Sequence, residues 1–289
     1  MAELLKGAPV AGAITRRNAQ AVEELKSNGV TPTLAIIRLG EKPGDLSYEK
    51  GALKRAEKTG VEVKQFVFPE AMTEKALIKE IRKINEDDSI HGVLMFRPLP
   101  EHIDEKAVCE TLAPAKDMDG ITSGSMAGVF MDTEIGYPPC TAEAVMEILD
   151  HYDIQLKGSK VTIFGRSLVI GKPVAMMLMG RHATITVCHS RTAIDDFRAA
   201  GAGADVVVSA LGRAKMIGSE ILGSGQTIID VGINVDEAGN LCGDVNFEEA
   251  ERDAAAITPV PGGVGSVTTA VLMKHVIQAA QRKMKEAGI

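Results

Sequence analysis

The sequence predicts an α/β protein of two domains, each built on a parallel sheet, and three observations carry that prediction. Short apolar, β-rich runs recur after helix-length gaps in both halves of the chain, as in Thr33 to Leu39 and Val161 to Phe164. Proline-rich backbone at Tyr137-Pro138-Pro139-Cys140-Thr141 separates the halves. With 289 residues, 45% of them apolar, the chain is long enough for two cores.

Taken in order, residues 12–28 carry Ile14, Ala19, Val22 and Leu25 at helical spacing, closed by Asn28-Gly29. Thr33 to Leu39 reads as a buried strand. Ser47 is expected to cap a helix running to Thr59-Gly60, and Val61 to Phe68 reads as a strand of alternating character. Thr73 to Asn85 is amphipathic, with Leu77, Ile81 and Ile84 on one face. His91 to Phe96 forms the next strand and runs into Arg97-Pro98-Leu99-Pro100.

The second half starts with a helix at about Ala142. Val161 to Phe164 then ends at Gly165, and Gly171 with Pro173 opens a helix, where a missing proline N–H costs nothing. Strand, glycine turn and helix start make a phosphate site, because free N–H groups and the helix dipole face the turn. The same pattern also suits an ordinary βα turn. Three more strands, Ala183 to Cys188, Asp205 to Ala210 and Thr227 to Val231, make the half a Rossmann-like parallel sheet with its ligand edge at the strand C-termini. The second of these βα units ends in His189-Ser190-Arg191-Thr192, without a carboxylate. An acid there would bind a ribose 2′-OH, whereas Arg191, a hydroxyl and Arg166 suit a 2′-phosphate, so NADP is expected, with NAD as the alternative. Arg191 is equally readable as a solvated surface residue. A last helix, about Thr268 to Ala287, follows the glycine-rich turn Pro259 to Gly265. The expected division is 1–140 with a returning C-terminal helix at 267–289, and 141–266.

Composition narrows the function. A net charge of −7 and the absence of a Lys/Arg-rich run argue against nucleic acid or an anionic membrane as partner. There is no tryptophan to stack on single-stranded bases. Cys109, Cys140, Cys188 and Cys242 form no C-x-x-C pair, which suits a reduced cytoplasmic protein better than a disulfide framework or a metal site. No apolar run is long enough to span a bilayer, and no signal-peptide segment is read at the N-terminus.

Nine stretches together resemble one family. They are Ser47-Tyr48 with Lys54 and Gly60 downstream, Arg97 to Pro100, Lys116-Asp117-Met118-Asp119-Gly120, and Pro139-Cys140-Thr141. Gly165-Arg166-Ser167, Cys188-His189-Ser190, Asp230 to Asn234, Gly243-Asp244-Val245, and Thr258 to Gly265 complete the set. In this order they are similar to the methylenetetrahydrofolate dehydrogenase/cyclohydrolase family over essentially the whole chain. The resemblance implies a catalytic α/β domain, an NAD(P) domain, folate in the cleft between them, and a homodimer. It implies that Tyr48 packs against folate, that Asp119 hydrogen-bonds the pterin, and that Pro261, Gly262, Gly263, Val264 and Gly265 line the folate pocket. Gly165, Arg166, Ser167, Ser190 and Ile233 would hold the dinucleotide. From the residues alone, Asp119 could be a turn residue and Tyr48 a core aromatic.

The chain departs from that family at the chemistry. Bifunctional members carry a lysine four residues after the tyrosine and a glutamine at the start of the segment ending in Pro-Leu-Pro. Here those substrate-facing positions hold Ala52 and Phe96. A side chain four positions on lies about 40° round a helix, on the tyrosine's face, whereas Lys50 and Lys54 point elsewhere. Arg55 stays protonated and cannot be a base. Hydride transfer needs orientation rather than a proton acceptor. The expectation is a dehydrogenase with weak or absent cyclohydrolase activity; the alternative is the full bifunctional enzyme. Gly265-Ser266-Val267-Thr268, in place of Gly-Pro-Met-Thr, and Ala142-Glu143 after Thr141 are smaller departures that affect pocket shape. A hydroxy-acid dehydrogenase using His91 or His102, or a non-catalytic nucleotide-binding protein, are the remaining readings.

Overall fold

The computed structural model describes residues 1–288. The chain runs β1 (Glu3–Leu4), α1 (Gly7–Ser27), β2 (Thr33–Leu39), α2 (Pro43–Thr59), β3 (Glu62–Phe68), α3 (Glu74–Glu86), β4 (Gly92–Met95), α4 (Glu105–Cys109) and α5 (Ser123–Met131). It continues with α6 (Cys140–His151), β5 (Lys160–Phe164), α7 (Gly171–Gly180), β6 (Thr184–Cys188), α8 (Ile194–Ala202), β7 (Val206–Ser209) and β8 (Thr227–Asp230). The final elements are β9 (Asn234–Val235), β10 (Leu241–Cys242), α9 (Phe247–Asp253), β11 (Ala256–Ile257) and α10 (Thr268–Glu286). Two compact units result: Gly12–Cys140 with Thr269 onward, and Met1–Ala11 with Thr141–Thr268.

In the first of these, β3, β2 and β4 form a parallel sheet with β2 in the centre. All seven residues of β2 are buried, as an apolar central strand requires, and that includes Arg38. Its guanidinium is paired with Glu49 of α2 at 3.0 Å, and Gln65 of β3 donates to the other Glu49 oxygen at 2.7 Å. A buried charge left alone would be costly, so these three side chains tie α2 to the sheet. Thr73 caps α3 through its side chain, and Leu77, Ile81 and Ile84 are the helix's buried stripe. Helix α2 starts earlier than Ser47: Pro43 occupies its first turn, where the missing N–H is harmless, and Ser47 lies inside the helix. Gly60, at φ 79°, ends it. Helix α10 belongs here: Asn18 donates to the Ala270 carbonyl at 3.1 Å, and Lys283 meets Asp88 at 2.5 Å.

His91, just before β4, is 8% exposed and accepts from the Thr33 amide through Nδ1 at 3.2 Å. Burial lowers its pKa from 6.5 to about 4, and the charges of Lys283 and Lys116 act in the same direction. The folded state therefore keeps this ring neutral where the unfolded chain takes up a proton. Stability is present above 6.5 and is lost as pH falls towards 4, by about 3 kcal/mol from this group. Urea unfolding at both pH values should show that loss, and His91→Asn should reduce it.

The second unit holds a six-stranded parallel sheet in the order β1-β11-β8-β7-β5-β6. The chain leaves β5 for β6 on one side and returns to β7 on the other, which makes the C-terminal end of β5 the switch point where such sheets bind ligands. Phe164 and Phe197 stack at 4.3 Å between β5 and α8 in the core. The N-terminal residues, expected with the first half, instead add β1 to this sheet through main-chain bonds such as Glu3 N to Ala255 O at 2.8 Å. The β9–β10 hairpin is a further element that the strand pattern did not reveal.

Candidate functional site

The turn between β5 and α7 is built by close backbone approach. At Gly165 (φ 126°) a Cβ would lie 2.4 Å from the Ala210 carbonyl, and at Gly171 one would lie 2.2 Å from the Gly165 carbonyl. Ser167 closes the turn, its Oγ accepting from Ile170 N at 3.1 Å and its carbonyl from Lys172 N at 3.1 Å. The amides of Arg166, Ser167, Leu168 and Val169 bond to nothing else among the described residues. Free amides at a glycine turn beside a helix start form an anion cradle. Gly165, Arg166 and Ser167 thus come together as the phosphate turn requires.

At the end of β6, His189 N donates to Thr192 Oγ1 at 2.9 Å and Arg191 N donates to His189 Nδ1 at 3.1 Å. Ser190 and His189 line one wall of a cavity of about 270 Å³ whose other wall is Leu211 and Arg213 from the loop after β7. Arg191 is exposed and is not in that wall.

A second cavity, of about 300 Å³, is bounded by Gly232, Ile233, Leu241 and the segment Pro259 to Ser266. It includes each of Pro261, Gly262, Gly263, Val264 and Gly265. Gly265 faces Ile233 across it: a Cβ there would stand 3.4 Å from Ile233 Cδ1, in van der Waals contact. Two buried carboxylates hold the loops around it. Asp230 accepts from the amides of Gly232, Asp244 and Val245 at 2.9–3.0 Å. Asp244 accepts from Ser209 Oγ, Leu211 N, Arg213 N and Asn234 Nδ2. Burial raises the Asp230 pKa to about 7, and the Asp244 charge adds to the rise, while the three amides oppose it.

In the other unit, Tyr48 of α2 meets Phe96, at the end of β4, edge to face: the ring centres are 5.9 Å apart and the planes 83° to each other. Ala52, one turn on, is fully buried. Lys50 and Lys54 are exposed. Arg55 donates to Thr15 Oγ1 at 2.7 Å, and burial lowers its pKa. Lys42 Nζ donates to the Pro98 carbonyl at 2.7 Å. Asp119 is half-buried, and its Oδ1 accepts from the Cys140 amide at 2.9 Å at the start of α6. Desolvation raises its pKa, against the Cys140 hydrogen bonds and the charge of Arg97. Among the described residues no cluster of three or more His, Cys, Asp or Glu could hold a metal ion, and no helix is long and apolar enough to cross a membrane.

Residues 5–119 match the tetrahydrofolate dehydrogenase/cyclohydrolase catalytic domain, and residues 139–284 match the NAD(P)-binding domain of the same enzymes. The chain belongs to the tetrahydrofolate dehydrogenase/cyclohydrolase family. It is 46% identical to the bifunctional protein FolD of Clostridioides difficile (strain 630) over 279 residues, 96% of each chain. The crystal structure of the bifunctional FolD from Campylobacter jejuni superposes with a TM-score of 0.94 at 35% identity, covering 98% of this chain and 100% of that one. The Trypanosoma brucei FolD, complexed with NADP and an inhibitor, gives a TM-score of 0.91 at 34% identity, over 98% of each chain.

The NAD(P)-binding domain of this family member fits a dinucleotide: the free amides of the β5–α7 turn can take an anion. Four residues that line these cavities or hold the loops around them had no role in the sequence analysis: Asp230, Asp244, Leu241 and Arg213. The Asp-Val-Gly and Gly-Asp-Val triplets did carry a signal. A Cβ on Gly243 would lie 1.8 Å from Asp230 Oδ2, and one on Gly232 would lie 2.3 Å from Asp244 Cγ. Each acid therefore occupies space that the other triplet's glycine leaves open.

Proposed function

We propose that this chain oxidises 5,10-methylenetetrahydrofolate to 5,10-methenyltetrahydrofolate by hydride transfer to NADP, and hydrolyses the product weakly or not at all. Membership of the family supports the first half of that reading. The second rests on one observation: beside Tyr48 stands a phenyl ring, and one helical turn on stands a buried methyl group. Neither can exchange a proton with water, and a missing general acid–base group typically costs about 10²–10⁴-fold in rate.

The bound dinucleotide supplies the hydride acceptor. The work left to the protein is orientation, worth several kcal/mol when a donor carbon is held against its acceptor. The proposed folate contacts are Tyr48, by its ring, Asp119, by its carboxyl group, and the backbone from Pro261 to Gly265. Nitrogen lone pairs of the folate stabilise the cation that forms, so no protein base is called for. Tyr48 with Phe96 keeps an aromatic wall beside the site, which disfavours ordered water. Gly165, Arg166, Ser167, Ser190 and Ile233 are the proposed dinucleotide contacts. A homodimer is the proposed assembly, to be checked by light scattering on the purified protein.

The purified protein given methylenetetrahydrofolate and NADP should accumulate methenyltetrahydrofolate in step with NADPH. Conversion of added methenyltetrahydrofolate to the 10-formyl product well above the buffer rate would overturn the loss of hydrolysis. Asp119→Ala should raise the KM for folate by about tenfold, the value of one hydrogen bond to a charged group, while dinucleotide binding is unchanged.

A second reading, the full bifunctional enzyme, draws on the naming of its relatives as bifunctional and on Lys42, whose ammonium reaches the Pro98 carbonyl in the segment that follows Phe96. In that case Lys42→Met should abolish hydrolysis and leave NADPH formation intact.

A further inference from the structure

The unit that carries Tyr48 and Asp119 holds a further cavity, of about 500 Å³. It is bounded by the residues just before β4, the loop Pro114 to Lys116, the turn Glu134 to Tyr137 and the last turns of α10. His91 lines it from the N-terminal end of β4, whereas Phe96 follows the C-terminal end of that strand, beside Tyr48. Extended backbone separates His91 from Phe96 by about 16 Å. The volume is that of a small-molecule site, and Ile90, Ile135 and Ala279 give it apolar wall.

The polar groups of this cavity are donors that lack an acceptor. Tyr137 is 2% exposed, and its hydroxyl is buried with no hydrogen-bond partner among the described residues. Its ring is held between neighbours: the His275 ring centre is 5.1 Å away, and the Arg282 guanidinium lies over it at 4.7 Å. Burial pushes the Tyr137 pKa up to about 12, so the hydroxyl keeps its proton. His91 accepts from Thr33 N through Nδ1, which puts the proton of the neutral ring on Nε2. That N–H has no partner among the described residues. The Lys116 ammonium gives two of its three donors to the carbonyls of Ile84 and Asp87, at 2.8 Å each, and meets no carboxylate among the described residues.

Charge is sorted across the cavity as well. Its acids are Asp88, Glu134 and Glu286. All three are turned to solvent, with the side chains of Asp88 and Glu134 94% and 87% exposed. Lys283 and Arg282, which pair with the first two, are the more buried partners. Besides burial, the charges of Lys283 and Lys116 lower the His91 pKa, so the field at that ring is positive.

We propose that this cavity is a second ligand site, for a small organic carboxylate with an apolar body, whose carboxyl group takes the donors of Tyr137, His91 and Lys116. An ionised carboxylate is acceptor-only and has lone pairs for all three. Inorganic phosphate would meet the donors but leave the apolar wall uncovered. The site stands apart from the folate contacts and does not depend on them.

The test is titration of cinnamate into the whole protein, beside its neutral amide, cinnamamide, and inorganic phosphate, with the His91 ring followed by NMR. Cinnamate should bind and shift the His91 Nε2 resonance. Cinnamamide should bind more weakly by about tenfold or more, the value of a hydrogen bond to a charged group, and phosphate should also bind more weakly than cinnamate. Tyr137→Phe should weaken cinnamate by about tenfold. Its melting temperature should hold or rise, since the variant buries one unpaired hydroxyl fewer. Ala279→Leu, which puts a larger side chain in the wall, should remove binding and keep a cooperative melt. Failure of cinnamate to bind, binding that leaves His91 unmoved, or equal affinity for the amide or for phosphate would overturn the proposal. So would an unchanged affinity or a lowered melting temperature in Tyr137→Phe, or retained binding in a folded Ala279→Leu protein.

Discussion

Replacing Ala52 with Lys and Phe96 with Gln together is expected to raise hydrolysis of 5,10-methenyltetrahydrofolate by about 10²-fold or more, the usual contribution of one general acid–base group. NADPH formation should stay within a few-fold, because hydride transfer asks for orientation rather than proton transfer. The two changes are coupled. Ala52 is fully buried, so a lysine inserted alone must displace its neighbours at about 1–3 kcal/mol and bring an ammonium into a site walled by the Phe96–Tyr48 ring pair. Phe96→Gln alone opens space and adds a polar group but supplies no base. The double variant should therefore exceed the product of the single effects. Stopped assays of the four proteins on methenyltetrahydrofolate, with thermal melts alongside, measure this. A double variant that hydrolyses no faster than the wild type while still oxidising its substrate would remove the claim that these positions set the balance of activities.

Gly243→Ala is expected to be the most damaging single methyl group in the dinucleotide unit. Its Cβ would stand 1.8 Å from Asp230 Oδ2, and Asp230 is a 4% exposed carboxylate already holding three amides. The side chain has nowhere to retreat without breaking bonds to Gly232, Asp244 and Val245. Overpacking combined with broken buried hydrogen bonds should cost about 3–5 kcal/mol and lower the melting temperature by about 10 °C. NADPH affinity should fall too, since Gly232 and Ile233 lie two and three residues after Asp230. Gly239→Ala makes the comparison: its φ of 83° is also strained for alanine, but nothing lies within 4 Å of its Cβ. A Gly243→Ala protein that melts within a degree or two of that control would show that the carboxylate can yield.

Parts of this molecule were open to reading because their signal is local. The strand Thr33–Leu39 was read to the residue, since a run buried on both faces has only apolar or paired positions along it. The stripe Leu77, Ile81 and Ile84 marks α3 because one buried face repeats at helical spacing. The start of α2 was misread because two helix-start signals compete within five residues. Ser47 resembles an N-cap, yet Pro43 can begin the helix earlier without any capping side chain. Strand β1 escaped altogether, because two residues are too few to show a side-chain period.

In the candidate site the same division holds. Residues grouped by one turn, Gly165, Arg166 and Ser167, or by one helical face, Tyr48 and Ala52, could be placed together from spacing and resemblance. The amino-acid order already carried two parallel α/β halves, a glycine turn suited to phosphate, and non-ionisable side chains at positions 52 and 96. Only the folded chain could decide that Arg213 and not Arg191 stands in the cavity wall, or that Asp230 and Asp244 each rest against the other triplet's glycine. Those relations join residues from different strand ends, and they depend on how crossovers bring loops together, which no local period records.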